Sequence, residues 1–108
     1  MHNTGLSAEV LSELCSNFAS HPHIEQVKLY GSRAKGTFTD RSDIDLAAFG
    51  SALTRSDIAD VLLDFDDSNI PYQVDLQQFD DLKNRRLIDH INRAGVVIYQ
   101  REKKHYKS

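Results

Sequence analysis

The stretch that decides the fold is Tyr30–Gly50, YGSRAKGTFTDRSDIDLAAFG. It places a Gly-Ser pair where one apolar segment ends and, after a polar loop, opens the next apolar segment with Asp43-Ile44-Asp45. Side chains of a strand alternate between its two faces, so Asp43 and Asp45 share one face while Ile44 enters the core. Like charges on one face destabilise a sheet, and this pattern therefore requires something that offsets their repulsion.

A third carboxylate is predicted to join them. In the later segment YQVDL, Val74 and Leu76 face the core, so Asp75 emerges on the opposite side. If the second and third strands are neighbours, Asp43, Asp45 and Asp75 converge on one surface patch. A divalent cation would reverse the charge penalty there, and oxygen-only ligands favour Mg²⁺ or Mn²⁺, which bind protein carboxylates together with substrate phosphates and water. The pattern thus indicates a nucleotide.

The Gly31-Ser32 pair is predicted to form a phosphate-binding loop. Gly31 lets the backbone approach a phosphate without a Cβ in the way, and Ser32 offers a hydroxyl and an amide. A short helical turn that begins there would point further N–H groups at the same anion. Arg33 and Lys35 are weaker candidates for phosphate contacts. Either motif alone is most often a simple turn or cap, whereas their combination is far more specific.

The whole chain indicates one domain over residues 1–100, of the α/β (α+β) class, with a mixed central sheet flanked by helices. A chain of 108 residues is long enough for one core and too short for two. The predicted order is α-β-β-α-β-α-β. Helices are predicted over residues 6–19, after an N-cap at Thr54 or Ser56, and over 81–94; strands are predicted over 24–30, 44–49, from 70, and over 96–99.

Charge is divided between an acidic body and a basic tail. Residues 1–100 carry 9 Lys and Arg against 15 Asp and Glu, whereas residues 101–108 carry 4 against 1. An acidic body is a poor nonspecific binder of nucleic acid, so a nucleic-acid partner is not expected. No apolar run approaches the roughly 20 residues that span a bilayer, and the first residues lack an export signal. These features predict a cytoplasmic protein without a membrane segment.

Other polar side chains fit structural roles better than chemical ones. His21 and His23 are too close in sequence to bracket one metal comfortably and indicate a polar turn. His90 is expected to be a partly buried helix residue. The second long helix carries an acidic face that is expected to be solvated: Asp57, Asp60 and Asp64.

The run Gly31-Ser32, ten residues, then Asp43-Ile44-Asp45, with Asp75 on a later strand, resembles the signature of the DNA polymerase β-like nucleotidyltransferase superfamily. Within that superfamily, GSRAKGTFTDRSDIDLA is most similar to the minimal nucleotidyltransferases, the MNT group. The resemblance covers residues 27–99. It implies the polymerase β-like fold, with a Tyr before the Gly-Ser pair where Phe is commoner.

The resemblance also implies how the site works. Asp43, Asp45 and Asp75 would hold two Mg²⁺ ions, and Ser32 with the Gly31 backbone would bind the β- and γ-phosphates of ATP. Asp75 would in addition orient or deprotonate the acceptor hydroxyl, as in two-metal displacement reactions.

Finally, the resemblance implies a partner. MNT proteins are typically paired with small helical HEPN proteins as the antitoxin of a toxin–antitoxin pair, so the chain is expected to transfer AMP from ATP to a hydroxyl of a HEPN toxin. Two alternatives stay open: neutralisation of the partner by contact alone, and nucleotidyl transfer to a small molecule or an RNA end. The sequence does not settle whether the protein forms homo-oligomers.

Overall fold

The computed structural model describes residues 4–102, whose strands form one mixed sheet in the order β3-β2-β1-β4. The strands are β1 (Gln26–Tyr30), β2 (Ile44–Phe49), β3 (Val74–Gln78) and β4 (Val96–Gln100). β1 is antiparallel to both β2 and β4, whereas β2 and β3 run parallel. The predicted mixed sheet is confirmed, and β3 lies at one of its edges.

Helices flank this sheet, and side-chain caps fix where the three longer ones begin. Of these three, Ser7 caps the first, Thr54 caps the second in a capping box, and Asn84 caps the third. No helix in the described range combines the length and the apolar character needed to cross a membrane. The helices are α1 (Ala8–Ala19), α2 (Ser32–Lys35), α3 (Arg55–Asp66) and α4 (Arg85–Ala94).

The predicted start of the third strand is wrong, because β3 begins at Val74 instead of residue 70. Pro71 has no N–H to donate to a neighbouring strand, which disfavours sheet pairing at that position. The first bond between the two segments runs from Ile44 N to Gln73 O, at 2.9 Å, directly before β3.

The predicted start of the last helix is also wrong, because α4 begins at Arg85 instead of residue 81. The preceding residues Phe79–Asp81 form a separate 3₁₀ turn that ends at Leu82. Asn84 then caps α4, because its side-chain oxygen accepts bonds from the backbone amides of the second and third helical residues, Arg86 and Leu87. The other predicted boundaries agree to within two residues.

Two apolar clusters hold the helices against opposite faces of the sheet. The larger cluster joins α1 and α3 to one face, where Phe18 packs edge-on against Phe65 with ring centroids 5.7 Å apart. The smaller cluster joins α4 to the other face through Ile91, Tyr30 and Ala47. The second face also carries the acidic residues of the Asp43-Ile44-Asp45 segment, so α4 is the helix that borders them.

The acidic face of α3 is exposed at Asp60 and Asp64, as predicted, whereas Asp57 is partly buried, and two of its three residues contact histidines. His21 Nε2 lies 2.7 Å from Asp64 Oδ2, and His23 Nδ1 lies 2.8 Å from Asp57 Oδ2. The predicted polar turn therefore fastens the α1–β1 connection to α3. The bond from His23, with those from Thr54, holds the pKa of Asp57 below its ordinary value.

The predicted basic tail begins with a residue that belongs to the fold. The Arg101 side chain donates to four backbone carbonyls, through Nε to Ile24 at 2.9 Å and through Nη2 to Phe18, Ala19 and His21. These bonds join the end of β4 to the end of α1. The rest of the predicted tail, from residue 103 onward, lies outside the described residues.

Candidate active site

Asp45 and Asp75 are direct register partners on the parallel strands β2 and β3. Their chain neighbours Ile44 and Leu76 are buried in the larger cluster, so both carboxylates lie on the opposite face, the one that carries α4. Asp43 precedes β2 by one residue and follows the same alternation. The structure thus brings together the three carboxylates that the sequence singled out.

The electrostatics of Asp45 show that these carboxylates influence one another. Partial burial raises the pKa of Asp45, and the charges of Asp75 and Asp43 raise it further. Each of these causes disfavours the ionised form, so the face is under charge repulsion when no cation is bound. Asp43 and Asp75 are exposed whereas Asp45 is partly buried, so a bound cation would relieve Asp45 most.

Tyr30 lies next to Asp45 on the same face of the sheet. It is the register partner of Asp45 across the antiparallel pair β1 and β2, and it is buried. Burial, with the charges of Asp75 and Asp45, raises the pKa of Tyr30 to about 12. The phenol therefore stays protonated at neutral pH and adds no charge to the acidic face.

Gly31 lies directly against the Asp45 carboxylate. Its backbone has φ +76° and ψ −152°, a conformation that L side chains rarely adopt. A Cβ at this position would overlap Asp45 Oδ2. Glycine is therefore required both by its dihedral angles and by the space that the carboxylate fills.

Ser32 begins α2, the short helical turn that the sequence predicted. The first backbone bond of the turn runs from Lys35 N to Gly31 O, at 3.0 Å, and the turn ends at Gly36. The amides of Ser32 and Arg33 precede that bond, so the turn itself offers them no carbonyl. Together with the Ser32 hydroxyl, they are the groups of the turn that are suited to an anion.

The Arg33 side chain is part of the fold, which corrects its prediction as a phosphate-binding residue. Only 1% of its surface is exposed. Nη1 donates to Thr4 O at 2.8 Å, while Nε and Nη2 donate to Ser42 O at 3.2 and 3.0 Å. The guanidinium also contacts the rings of Phe38 and Tyr72. Every guanidinium nitrogen is thus committed to the chain itself.

His90 on α4 contacts the turn that begins at Gly31, and sequence reasoning missed this contact. The Gly31 N–H donates to His90 Nε2 at 3.1 Å, and the imidazole packs edge-on against Tyr30. Partial burial lowers the pKa of His90, and the charges of Lys35 and Arg93 lower it further. No local pattern could have indicated this contact, because 59 residues separate its two members.

The carboxylate face fits a divalent cation that is held jointly with a ligand. Across residues 4–102, no three Asp, Glu, His or Cys side chains are arranged so that they alone could hold a metal ion. Mg²⁺ does not need such a cage, because it typically binds one or two protein carboxylates and completes its octahedron with phosphate oxygens and water. The repelled, oxygen-only pair of Asp43 and Asp45 meets that requirement.

The Gly31-Ser32 turn after β1, Asp43 and Asp45 at the start of β2 and Asp75 opposite Asp45 on β3 together form the candidate site of a nucleotidyltransferase. The family model described as polymerase beta nucleotidyltransferase matches residues 12–104. The chain belongs to this family and is a nucleotidyltransferase. Among curated proteins, no sequence matches it significantly.

Solved toxin–antitoxin structures share this fold. One, with AMP-PNP, is 19% identical over 90% of this chain and 76% of that chain, with a TM-score of 0.66. MntA–HepT is 14% identical over 88% and 74%, with a TM-score of 0.64. The structure of a tri-AMPylated Shewanella oneidensis HEPN toxin in complex with an MNT antitoxin contains a similar chain. It is 15% identical over 86% of this chain and 71% of that chain, also with a TM-score of 0.64. At these identities the similarity shows the fold alone.

Proposed function

We propose that this nucleotidyltransferase depends on Mg²⁺ and transfers AMP from ATP to a hydroxyl group, with release of pyrophosphate. The observation that carries the proposal is the pairing of Asp45 with Asp75, beside the turn that begins at Gly31 and Ser32. In this proposal the carboxylates bind the cation and the turn binds phosphate, and an in-line displacement at phosphorus needs these two kinds of group side by side. Membership of the nucleotidyltransferase family supports the reaction class.

Each residue of the site has a distinct role in this proposal. Asp43 and Asp45 would hold Mg²⁺, and Mn²⁺ would fit the same oxygen ligands. When bound, the metal supplies Lewis-acid stabilisation of negative charge on the phosphate oxygens. The Ser32 hydroxyl and the amides at the start of α2 would bind the β- and γ-phosphates.

Asp75 is proposed to act on the acceptor. Its Oδ1 accepts a bond from Gln77 Nε2, at 3.0 Å, which orients the carboxylate on the exposed edge strand. Asp75 would then orient the acceptor hydroxyl and take its proton. The acceptor oxygen bonds to the α-phosphorus, the bond from that phosphorus to the bridging oxygen breaks, and pyrophosphate leaves.

We further propose that the acceptor is a hydroxyl of a HEPN-type toxin, and that the chain acts in the cytoplasm as the antitoxin. The support is the shared fold with an MNT antitoxin whose HEPN partner is tri-AMPylated. The repelled carboxylates favour chemistry over neutralisation by contact alone, because a pure binder gains nothing from a charge cluster that destabilises its sheet.

Incubation with ATP, Mg²⁺ and a HEPN-type toxin encoded beside this chain tests the proposal, with intact mass as the readout. The wild-type chain should add AMP to the toxin. Asp75→Asn should still bind Mg²⁺–ATP, although less tightly, and transfer almost nothing. Asp60→Asn is the matched control, because Asp60 is an exposed residue of α3 away from the carboxylate face.

The outcomes separate the open alternatives. Undiminished transfer by Asp75→Asn would remove that residue from the mechanism. Protection of cells from the toxin without AMP on the toxin would establish neutralisation by contact. Transfer of AMP to a small molecule or an RNA end, with an unmodified toxin, would overturn the protein acceptor and leave the transferase reaction standing.

A further inference from the structure

We infer that His90 is a positioning residue for the proposed phosphate-binding turn. Its imidazole accepts a hydrogen bond from the Gly31 N–H and so fixes the backbone at the N-cap of α2. The inference rests on the proposed function, since it concerns how this chain prepares its site for a triphosphate. His90 itself is not placed at the reacting atoms.

The backbone of Gly31 is held on both of its polar groups. Its N–H donates to His90 Nε2 at 3.1 Å, and its carbonyl accepts from Lys35 N at 3.0 Å. The second bond lies within the turn and would form in any helical start. The first bond comes from a different helix, so it ties the turn to the rest of the fold.

This bond determines which amide faces an anion. Gly31 can adopt many backbone conformations, so without an external contact its N–H could rotate toward a phosphate or toward water. Because His90 accepts that hydrogen, the peptide plane after β1 is set, and the amides of Ser32 and Arg33 come next in the turn. The expected role of the Gly31 amide in phosphate binding is therefore replaced by a structural one.

The helix that carries His90 is well anchored for this task. Its next residue, Ile91, is fully buried against the cluster that contains Tyr30. The imidazole itself meets the Tyr30 ring edge-on, with centroids 6.2 Å apart. His90 therefore contacts both residues that precede Ser32.

The surroundings of His90 favour the form that can accept a bond. Only a ring nitrogen without a hydrogen accepts, and a protonated imidazole has none. Partial burial opposes protonation of His90, and so do the positive charges of Lys35 on the turn and Arg93 one helical turn along α4. The bond also fixes the tautomer, with the hydrogen on Nδ1.

Two substitutions at one position separate the hydrogen bond from the packing. His90→Phe keeps a ring beside Tyr30 and removes the acceptor. His90→Gln loses the ring and places an amide oxygen where it can accept from Gly31. Mg²⁺–ATP binding is measured by calorimetry without any acceptor, together with the melting temperature and the ¹⁵N–¹H resonance of Gly31.

We expect His90→Phe to bind Mg²⁺–ATP about tenfold more weakly, which is the loss expected for one such bond. The Gly31 resonance should shift and exchange faster with solvent, and in the transfer assay the KM for ATP should rise more than kcat falls. His90→Gln should recover most of the affinity. Equal affinity in His90→Phe and wild type, or a His90→Gln variant as weak as His90→Phe in a folded protein, would overturn the inference.

The same measurements distinguish this inference from the proposed function. A wild-type chain that binds Mg²⁺–ATP but transfers nothing would overturn the transfer proposal alone, and the affinity ratio would still support His90. A wild-type chain that does not bind Mg²⁺–ATP would overturn both.

Discussion

The Asp45 carboxylate occupies the space where a side chain at Gly31 would begin, so the two residues are in direct contact. The contact follows from the sheet register, because Tyr30 pairs with Asp45 and Gly31 is the next residue along. The turn that begins at Gly31 and the strand that carries Asp45 are therefore one packed unit. Their spacing in the sequence reflects this physical contact.

Gly31→Ala should disrupt this unit, and Gly36→Ala is its matched control. Both glycines have positive φ, so each alanine should lower stability: by roughly 1–2 kcal/mol at Gly36, which is left-handed helical, and by more at Gly31, whose φ of +76° and ψ of −152° are nearly reserved for glycine. Only the Cβ at Gly31 meets Asp45, since no atom lies within 4 Å of one at Gly36. Thermal unfolding with and without Mg²⁺–ATP should show that Gly31→Ala alone loses ligand stabilisation. Equal loss in both variants would contradict the packed unit.

Asp45→Asn should stabilise the protein when no divalent cation is present. The substitution removes a carboxylate whose ionisation burial, Asp75 and Asp43 all oppose. Relief of a like-charge contact is worth about 0.2–1 kcal/mol, or a rise in melting temperature of about 1–5 °C. The measurement is thermal unfolding in chelator and in Mg²⁺, with Asp60→Asn as control. Wild type should gain stability from Mg²⁺–ATP and Asp45→Asn should not; a variant that still gains it would exclude Asp45 as a ligand.

Arg33→Lys should destabilise the fold without a selective loss of nucleotide binding. A lysine cannot reproduce three nitrogens that donate to Thr4 O and Ser42 O, and it leaves buried carbonyls without donors. We expect a loss of about 1.5–3 kcal/mol in urea unfolding, the range for hydrogen bonds to a charged group. Arg41→Lys, at an exposed position in the same loop, should change little. Unchanged stability with weakened ATP binding would restore Arg33 as a phosphate ligand.

Asp57→Asn should lower stability at neutral pH and reduce its loss in acid. The folded pKa of Asp57 lies below its ordinary value of 3.8, chiefly through the bond from His23. A lowered carboxyl pKa contributes stability that is present above the unfolded pKa and is lost as the pH falls through the folded one. Urea midpoints at about pH 7 and about pH 3 measure the difference. An Asp57→Asn variant with the same acid dependence as wild type would exclude this cause.

The sequence by itself determined the local part of this protein. Alternation along one strand put Asp43 and Asp45 on a single face, and helical spacing with a capping threonine placed α3. These features have short periods, so each is fixed by residues within a few positions of one another. The Gly31-Ser32 pair was readable for the same reason, because the turn that it starts is complete within five residues.

Only the tertiary structure decided which distant residues meet. The parallel pairing of β2 with β3 sets Asp75 opposite Asp45. From the sequence alone, the pairing of these two strands is an assumption. Burial of Arg33 and the bond from Gly31 to His90 likewise depend on segments far apart in the chain. From the sequence, Arg33 is interpreted as a loop cation and His90 as a partly buried helix residue. Their actual contacts involve segments that are distant in the chain. The single sequence does not specify these contacts, because they depend on how whole helices and strands are arranged. Unlike helix or strand formation, they produce no periodic pattern in the sequence.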